Sequence, residues 1–284
     1  MIVDRKTGEK KEVVVSGSQK FLYNKLFGRI LLKLFTRRFI SKCGGAFLKT
    51  RISKKKIPDF IKAGNINVDD YYVDNVKSYN DFFIRKIKED RRNIDMEPKH
   101  LIAPCDSKLQ AFKISSDSIF EIKNSYYKVS DLIKNEELAK EYENGYCLIF
   151  RLTVDDYHRY SYPDSGSKGK NIKIKGILHT VNPIALEHYN FYKTNSREYT
   201  ILNCDNLGKV IMVEVGAVMV GKIKNHHQEY NYKRGEEKGY FEFGGSTIVL
   251  ILKDNVVIDS DILTNTKNGD ETRVLLGEKI GCVK

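Results

Sequence analysis

Residues 243–252 read Phe-Gly-Gly-Ser-Thr-Ile-Val-Leu-Ile-Leu, a turn that runs straight into an aliphatic stretch. Aliphatic and β-branched residues in so short a run predict a buried β-strand over residues 247–252. The two glycines ahead of Ser246 permit backbone conformations that other residues resist, and the strand would hold the serine from its C-terminal side. Taken alone, Gly-Gly-Ser before a strand is a common turn, so this stretch predicts a strand before it predicts a function.

That strand is one of several short β-rich runs that follow Leu101 and are separated by Gly, Asp and Asn. The others are residues 146–154, 211–215, 217–220 and 256–258. The first of them alternates in the way that a half-buried strand does. Helical character dominates the chain before Lys88. The sequence therefore predicts an α+β fold, with N-terminal helices followed by a mainly antiparallel β core with a few inserted helices.

Capping residues predict where several helices begin. Asn80-Asp81 precede an apolar group that starts at Phe82, and Ser130 precedes a segment over residues 131–142. Asn182 is followed by Pro183 at the first helical position of a segment that runs toward Tyr189. The first dozen residues are polar and are expected to form a loose arm.

The positive charge of the chain is concentrated at one end. The 284 residues carry a net charge of +12; residues 1–60 hold 16 Lys and Arg against 4 Asp and Glu, and the remaining 33 of each sign cancel. This charge distribution divides the chain into a basic region, 1–60, and a neutral body, 61–284.

The length fits one large domain or two small ones, and 17 Tyr with 14 Phe argue against disorder.

The basic region favours an anionic partner. On a helix over residues 21–40, four cationic residues form one polar stripe opposite a Phe- and Leu-rich face: Lys25, Arg29, Lys33 and Arg37. This pattern is typical of a helix that lies in a membrane interface, and an amphipathic helix packed on the protein's own core is an equal alternative. Nucleic-acid binding ranks third, because phosphates need no large apolar face. No apolar run is long enough to span a bilayer, and the segment makes a poor signal peptide.

The five cysteines are scattered and show no C-x-x-C spacing: Cys43, Cys105, Cys147, Cys204 and Cys282. Their spacing predicts neither a structural metal site nor a disulfide framework, and a reducing cytoplasm is the default environment.

Three separate segments carry residues able to do proton-transfer or acyl-transfer chemistry. Ser246 follows the two glycines, His158 lies between Asp156 and Arg159 after a strand, and Asp106 lies in a Pro-Cys-Asp turn. A histidine flanked by charges can act in proton transfer near neutral pH, and an aspartate can orient an imidazole. These residues form one site only if the fold brings them together, which spacing alone cannot show.

Together, these segments resemble the phosphatidylserine decarboxylase family, in order and over roughly residue 20 to the end. The matching blocks are Tyr79–Arg85 (a Phe-Phe-x-Arg helix), Pro104–Asp106, Asp156–Arg159 with Pro163 and Gly166, Val213–Gly221, Gly245–Thr247, and Asp261–Gly281. Any one block is weak, but the ordered set is specific.

The resemblance implies a self-processing, pyruvoyl-dependent carboxy-lyase that converts phosphatidylserine to phosphatidylethanolamine. Cleavage between Gly245 and Ser246 would leave a large subunit, 1–245, and a small subunit, 246–284, in which Ser246 has become the covalent pyruvoyl group. The two fragments would stay together as a heterodimer; a homodimer is left open. The implied partners are phosphatidylserine and an anionic membrane surface on the cytoplasmic side, with peripheral attachment and no nucleic acid or metal. By this resemblance the catalytic set is Ser246, His158 and Asp106.

The chain departs from the family at one motif position. The family reads Asp-Tyr-His-Arg-x-His, and its second histidine is generally the one that drives self-cleavage, whereas this chain has Ser161 there. Serine is a poor base and cannot inherit that task. Three alternatives follow: His158 serves both steps, His179 or His188 substitutes in space, or cleavage is slow or lost. The last alternative describes a non-processed, catalytically impaired lipid-binding homologue of the same fold.

Overall fold

The structure, a computed structural model, describes residues 1–13, 38–122, 125–177, 194–216 and 222–284. Within these ranges the α+β prediction is confirmed: helices dominate residues 38–83, and a mainly antiparallel β core follows. The predicted helix over residues 21–40 lies almost wholly outside the described residues. So do the helix that was expected to start at Pro183 and the strand 217–220.

The described helices are α1 (Arg38–Leu48), α2 (Ile57–Gly64), α3 (Tyr79–Phe83), α4 (Val129–Ile133), α5 (Glu136–Lys140) and α6 (Ser260–Lys267), with 3-10 turns at Arg51–Lys56, Val68–Asp70 and Glu89–Arg91. No helix in the described ranges is long and apolar enough to cross a membrane.

The described strands are β1 (Ile2–Asp4), β2 (Lys10–Lys11), β3 (Tyr71–Tyr72), β4 (Lys86–Ile87), β5 (His100–Ile102), β6 (Ser107–Lys113), β7 (Ile119–Ile122), β8 (Ser125–Lys128), β9 (Tyr146–Leu152), β10 (Arg159–Ser161), β11 (Gly166–Lys168), β12 (Ile172–Ile174), β13 (Arg197–Cys204), β14 (Gly208–Val215), β15 (Ile223–Asn225), β16 (Tyr230–Tyr232), β17 (Glu237–Phe241), β18 (Ser246–Leu252), β19 (Val256–Ile258), β20 (Glu271–Val274) and β21 (Lys279–Val283).

The strand predicted from residues 247–252 lies inside the main sheet. This strand, β18, pairs antiparallel with β14 on one side and β9 on the other, in the order β16-β11-β13-β14-β18-β9-β6-β20-β1-β2. Successive residues of β18 point to opposite faces of the sheet, as strand geometry requires. Val249 and Ile251 join one hydrophobic cluster, whereas Ile248 and Leu250 join the other. Both faces are covered, so β9 is buried along nearly its whole length rather than half-buried as its alternation predicted.

The layers on the two faces differ. Helices α4 and α5 and the β7–β8 hairpin cover the face that bears Val249. The opposite face, which also bears Ser246, is covered by the sheets β10-β17-β15 and β19-β21-β5 and by α6. A third cluster joins α2 and α3 to the end of α1, and Phe243 packs against it. The helical layer therefore reaches the turn that precedes Ser246.

The expectation of a loose N-terminal arm is wrong for residues 2–11. Strand β1 pairs parallel with β20 at the edge of the main sheet, and β2 pairs with β1. Arg5 fixes the hairpin through ion pairs with Asp259 and Asp261 at 2.6 and 2.7 Å. These partners lie more than 250 positions away, so the polar local sequence carried no sign of them.

Two helix boundaries also differ from their predictions. The segment 131–142 is two short helices, because Lys134 adopts a left-handed conformation (φ 55°) and Asn135 caps a new start through its side chain. Lys128, rather than Ser130, is at the N-cap position of α4. Helix α3 is capped by Ser78, whose hydroxyl accepts a hydrogen bond from the Asp81 N–H, rather than by Asn80.

Candidate active site

Ser246 is the first residue of β18 and is fully buried, opposite Leu152 of β9. The turn before it has a backbone conformation that requires glycine. Gly244 has φ 122°, which residues with a side chain rarely adopt. The backbone N–H of Phe243 donates to Asn80 Oδ1 at 3.4 Å, and the Phe243 ring packs 5.1 Å from the Phe83 ring. The Gly-Gly-Ser turn is therefore held between the main sheet and helix α3.

His158 lies beside this serine, 88 positions earlier in the chain. Its Nδ1 is 3.2 Å from Ser246 Oγ, and its Nε2 is 2.8 Å from the Thr153 carbonyl oxygen. A carbonyl can only accept, so Nε2 carries the proton and Nδ1 presents a lone pair. That lone pair can accept the proton of the Ser246 hydroxyl, which is the arrangement that an activated nucleophile needs.

The Thr153 carbonyl is held by a buried polar network in the same loop. The Asp156 carboxylate accepts from the Thr153 N–H at 2.7 Å and from its hydroxyl at 2.9 Å. Lys108 Nζ donates to both Asp156 oxygens at 2.7 Å and to the Thr153 hydroxyl at 2.6 Å. Burial raises the pKa of the Asp156 carboxyl, while the Lys108 ammonium opposes that rise. This network fixes the loop that selects the tautomer of His158.

The surroundings of His158 keep its imidazole uncharged. The side chain is fully buried, and the ring of Phe83 lies 4.2 Å from it, centroid to centroid. Burial, with a smaller repulsion from the Arg85 charge, lowers the pKa of His158 to about 3, against which the Thr153 carbonyl acts. A neutral imidazole is the form that can accept a proton.

Asp106, the third residue of the predicted set, has other partners. Its carboxylate accepts from Arg92 Nε at 3.0 Å, from Arg92 Nη2, and from the Leu276 N–H at 2.8 Å. Its hydrogen bonds within the described residues do not include His158. The carboxylate therefore joins the segment before β5 to the C-terminal tail, and its predicted catalytic role stays a prediction.

Ser161, at the position of the family's second histidine, is hydrogen-bonded to Pro104 and not to Ser246. Its hydroxyl donates to the Pro104 carbonyl at 3.4 Å, and its backbone N–H donates to the same oxygen at 2.8 Å. Ser161 lines a cavity of about 470 Å³ together with Tyr157, Arg159 and Arg92. Neither Ser246 nor His158 is part of that lining.

Of the other five histidines, the structure describes three, and one of these, His100, has its Nδ1 2.8 Å from Asp95 Oδ2. His179 and His188 lie outside the described residues. His226 is surface-exposed and its Nε2 is 2.6 Å from Glu237 Oε1, while His227 stacks on the Tyr230 ring at 3.7 Å. Among the described histidines, His158 is the one that contacts Ser246.

Sequence reasoning missed two contributors to the site. Thr153 acts through its backbone carbonyl, which has no side-chain signature. Lys108 follows the Pro-Cys-Asp block by two positions, but nothing local indicated that it would reach Asp156, 48 residues away. Phe83 and Arg85 were in a quoted block, yet the stacking of Phe83 on His158 depends on the tertiary fold.

Comparison with known proteins agrees with the family resemblance of the sequence motifs. The family model described as phosphatidylserine decarboxylase matches residues 79–282. The chain is 51% identical to "Phosphatidylserine decarboxylase proenzyme 2" of Clostridium acetobutylicum, over 94% of this chain and 92% of the relative. It is 42% identical to the phosphatidylserine decarboxylase proenzyme of Clostridium perfringens, over 99% of this chain and 98% of the relative. A phosphatidylserine decarboxylase proenzyme of Clostridium botulinum is 40% identical, over 99% and 98% of the two chains.

Proposed function

This chain belongs to the phosphatidylserine decarboxylase family and decarboxylates phosphatidylserine to phosphatidylethanolamine, and we propose that it does so with a pyruvoyl group made from its own Ser246. The observation that carries the proposal is the 3.2 Å contact between His158 Nδ1 and Ser246 Oγ, in a buried site directly after a Gly-Gly turn. The relatives are named proenzymes, which fits a chain that processes itself.

In the proposed processing, His158 takes the hydroxyl proton of Ser246 while Oγ attacks the Gly245 carbonyl carbon. The peptide C–N bond breaks as the ester forms, and the proton passes to the new Ser246 amine. Loss of a Cα proton then expels the Gly245 carboxylate and leaves a carbon–carbon double bond at residue 246. This enamine takes up a proton on Cβ and becomes an imine, and hydrolysis of the imine releases ammonia and leaves a pyruvoyl group. The atoms balance with one water added, and no external oxidant is needed.

The site fits this group because residue 246 stays fixed on both sides after cleavage. It begins β18, which remains paired with β9 and β14 of the proposed large fragment. Strands β20 and β21 of the small fragment pair with β6 and β5 in the same way. These pairings support a heterodimer of 1–245 and 246–284. Once formed, the conjugated carbonyl supplies the electron sink for the pair of electrons released as carbon dioxide leaves.

Residues of the chain around Ser246 have separate proposed roles. His158 is the base for cleavage, and Thr153, held by Asp156 and Lys108, fixes its tautomer. Asp106 stays in the proposed set as a residue that fixes the C-terminal segment through Leu276. No observation favours the impaired, non-processed alternative, because a base reaches the serine even though residue 161 is not histidine.

We also propose that the basic region attaches the enzyme to an anionic membrane surface from the side of α1. Phe47 is 45% exposed and Ile52 is 69% exposed, and the two lie within one short basic segment. Lys54, Lys55 and Lys56 follow in the same short segment, all exposed. Apolar side chains that protrude among lysines suit an interface of lipid tails and anionic headgroups.

A carbonyl-specific label tests the proposed cofactor. A hydrazide added to the purified, denatured protein should label a fragment that spans residues 246–284, because only a pyruvoyl group places a reactive ketone there. The Ser246→Ala variant is the control and should take up no label. Decarboxylation of phosphatidylserine by a wild-type protein that stays unlabelled would contradict the proposal.

A further inference from the structure

Arg85 is a buried cation that has no anionic partner among the described residues. It follows helix α3, and its side chain is 2% exposed. Nη1 donates to the carbonyl oxygens of Phe82 and Phe83 at 3.2 and 3.5 Å, whereas Nε and Nη2 have no hydrogen-bond partner in the part of the chain that the structure describes. The guanidinium lies 4.2 Å from the Tyr71 ring centroid and 5.0 Å from that of Phe82. The faces of these rings contact the cation, and no described oxygen accepts a hydrogen bond from Nε or Nη2.

Other buried arginines in the described residues are satisfied. Arg151 donates to both carboxylate oxygens of Glu271, and Arg234 donates to Asp164 and to two backbone carbonyls. A buried charge without a counter-ion lowers stability, so such groups are seldom kept without a use. Arg85 therefore has the properties of an anion-binding residue.

Arg85 is linked to the candidate active site through Phe83. Arg85 Nη1 contacts the carbonyl of Phe83, and the ring of Phe83 stacks on His158 at 4.2 Å. The cavity of about 470 Å³ is lined by the next two residues, Lys86 and Ile87. Arg85, His158 and Ser246 are not among its lining residues, so the cavity adjoins the segment that carries Arg85 and does not enclose the guanidinium.

We propose that Arg85 binds the phosphodiester of the substrate headgroup, an inference that rests on the function proposed above. Guanidinium groups recognise phosphate with two parallel N–H donors, and Nε and Nη2 are the pair that is free. The headgroup carboxylate is the other anion within reach of such a site. A salt bridge to it would stabilise the very charge that is lost as carbon dioxide, which would raise the barrier. The phosphodiester keeps its charge throughout the reaction.

The test uses the full-length, processed enzyme and two substitutions. Arg85→Met removes the donors, and Arg85→Lys keeps the charge but loses the paired geometry. Arg91→Met, at an exposed arginine in the neighbouring 3-10 turn, is the matched control. Each variant is assayed for its fragment 246–284, for KM and kcat with phosphatidylserine, and for inhibition by glycerophosphoethanolamine. That probe carries the phosphodiester and the amine but no carboxylate.

We expect Arg85→Met to process itself, to raise KM about 10- to 100-fold, and to weaken inhibition by glycerophosphoethanolamine by a similar factor, as expected for loss of a charged hydrogen-bonded pair. Arg85→Lys should give KM and inhibition values between those of the wild type and Arg85→Met. It provides the test if Arg85→Met does not fold. A raised KM with unchanged inhibition would assign Arg85 to the carboxylate and overturn the proposal. Unchanged KM and unchanged inhibition would show that Arg85 has only a structural role, which would also overturn the proposal. Failure of the wild-type chain to form the labelled fragment would instead reject the proposed function.

Discussion

The imidazole of His158 and the hydroxyl of Ser246 lie 3.2 Å apart, and the Thr153 carbonyl fixes the imidazole proton on the far nitrogen. The pair is assembled by the pairing of β9 with β18, because the loop after β9 returns His158 to the start of β18. In the proposed processing, this geometry supplies the base for self-cleavage without the second histidine of the family motif.

The pH dependence of self-cleavage should reveal the low pKa of His158. Since burial lowers that pKa to about 3, the imidazole stays neutral and able to accept a proton at higher pH. We expect a constant cleavage rate between about pH 5 and pH 8, whereas an ordinary histidine with a pKa of about 6.5 would lose about 30-fold at pH 5. The chain is made in a short pulse of cell-free synthesis and shifted to each pH, and the rate is followed as loss of the full-length chain.

The same lowered pKa of His158 makes the folded protein less stable at acidic pH, so the experiment must check that the chain is still folded. The unfolded imidazole gains a proton near its ordinary pKa, but the folded one does not, so acidification below about pH 6.5 favours unfolding. Circular dichroism at each pH shows whether the chain is still folded. A tenfold or greater fall in rate centred near pH 6.5, in folded protein, would show that His158 is not held neutral.

Gly244 should be needed for the cleavage turn. Its φ of 122° is strained for alanine, and the strain costs about 1–2 kcal/mol. We therefore expect Gly244→Ala to slow self-cleavage about tenfold. Gly269→Ala is the matched control, since Gly269 has φ 78° but no atom within 4 Å of an added Cβ. Equal cleavage rates in the two variants would mean that the Gly244 conformation does not matter.

Ser161→His should be tolerated and should not accelerate cleavage. The side chain borders a cavity of about 470 Å³, which has room for an imidazole, and His158 already contacts the nucleophile. Cleavage kinetics of the variant are compared with those of the wild-type chain. An acceleration of about 100-fold, the contribution of a missing general base, would show that position 161 is where this chain lacks its base.

Ile52 should contribute to membrane binding. Burial of an isoleucine side chain contributes about 1.5–3 kcal/mol, so Ile52→Ser should weaken partitioning into phosphatidylserine-rich vesicles at least tenfold. Tyr126→Ser is the control, because Tyr126 is 68% exposed on the β7–β8 hairpin. Sedimentation with vesicles, at low and high salt, measures both. Equal partitioning of the two variants would remove Ile52 from the membrane surface.

The β core was predictable because its pattern is local. The aliphatic run after Ser246 and the limits of Val256–Ile258 follow from residue type alone. The N-terminal hairpin was not, since β1 is held by β20 and by the ion pairs of Arg5. Lys134 ended a helix early by adopting φ 55°, which its side chain does not announce.

For the site, the sequence identified residue types but not their pairing. Ser246 and His158 meet as the motifs suggested, whereas Asp106 bonds to Arg92 instead. The Thr153 carbonyl is the group that orients His158, and a backbone atom leaves no trace in a sequence. That Arg85 has no anionic partner among the described residues likewise becomes visible only in the tertiary structure.

Intact mass of the purified protein under denaturing conditions tests the central claim most directly. The wild-type chain should give two fragments, 1–245 and a 246–284 fragment whose first residue is blocked. Ser246→Ala and His158→Gln should stay full length, while His226→Gln, a surface control, should cleave as the wild type does. A wild-type sample that contains only the full-length 32.8 kDa chain would contradict the account.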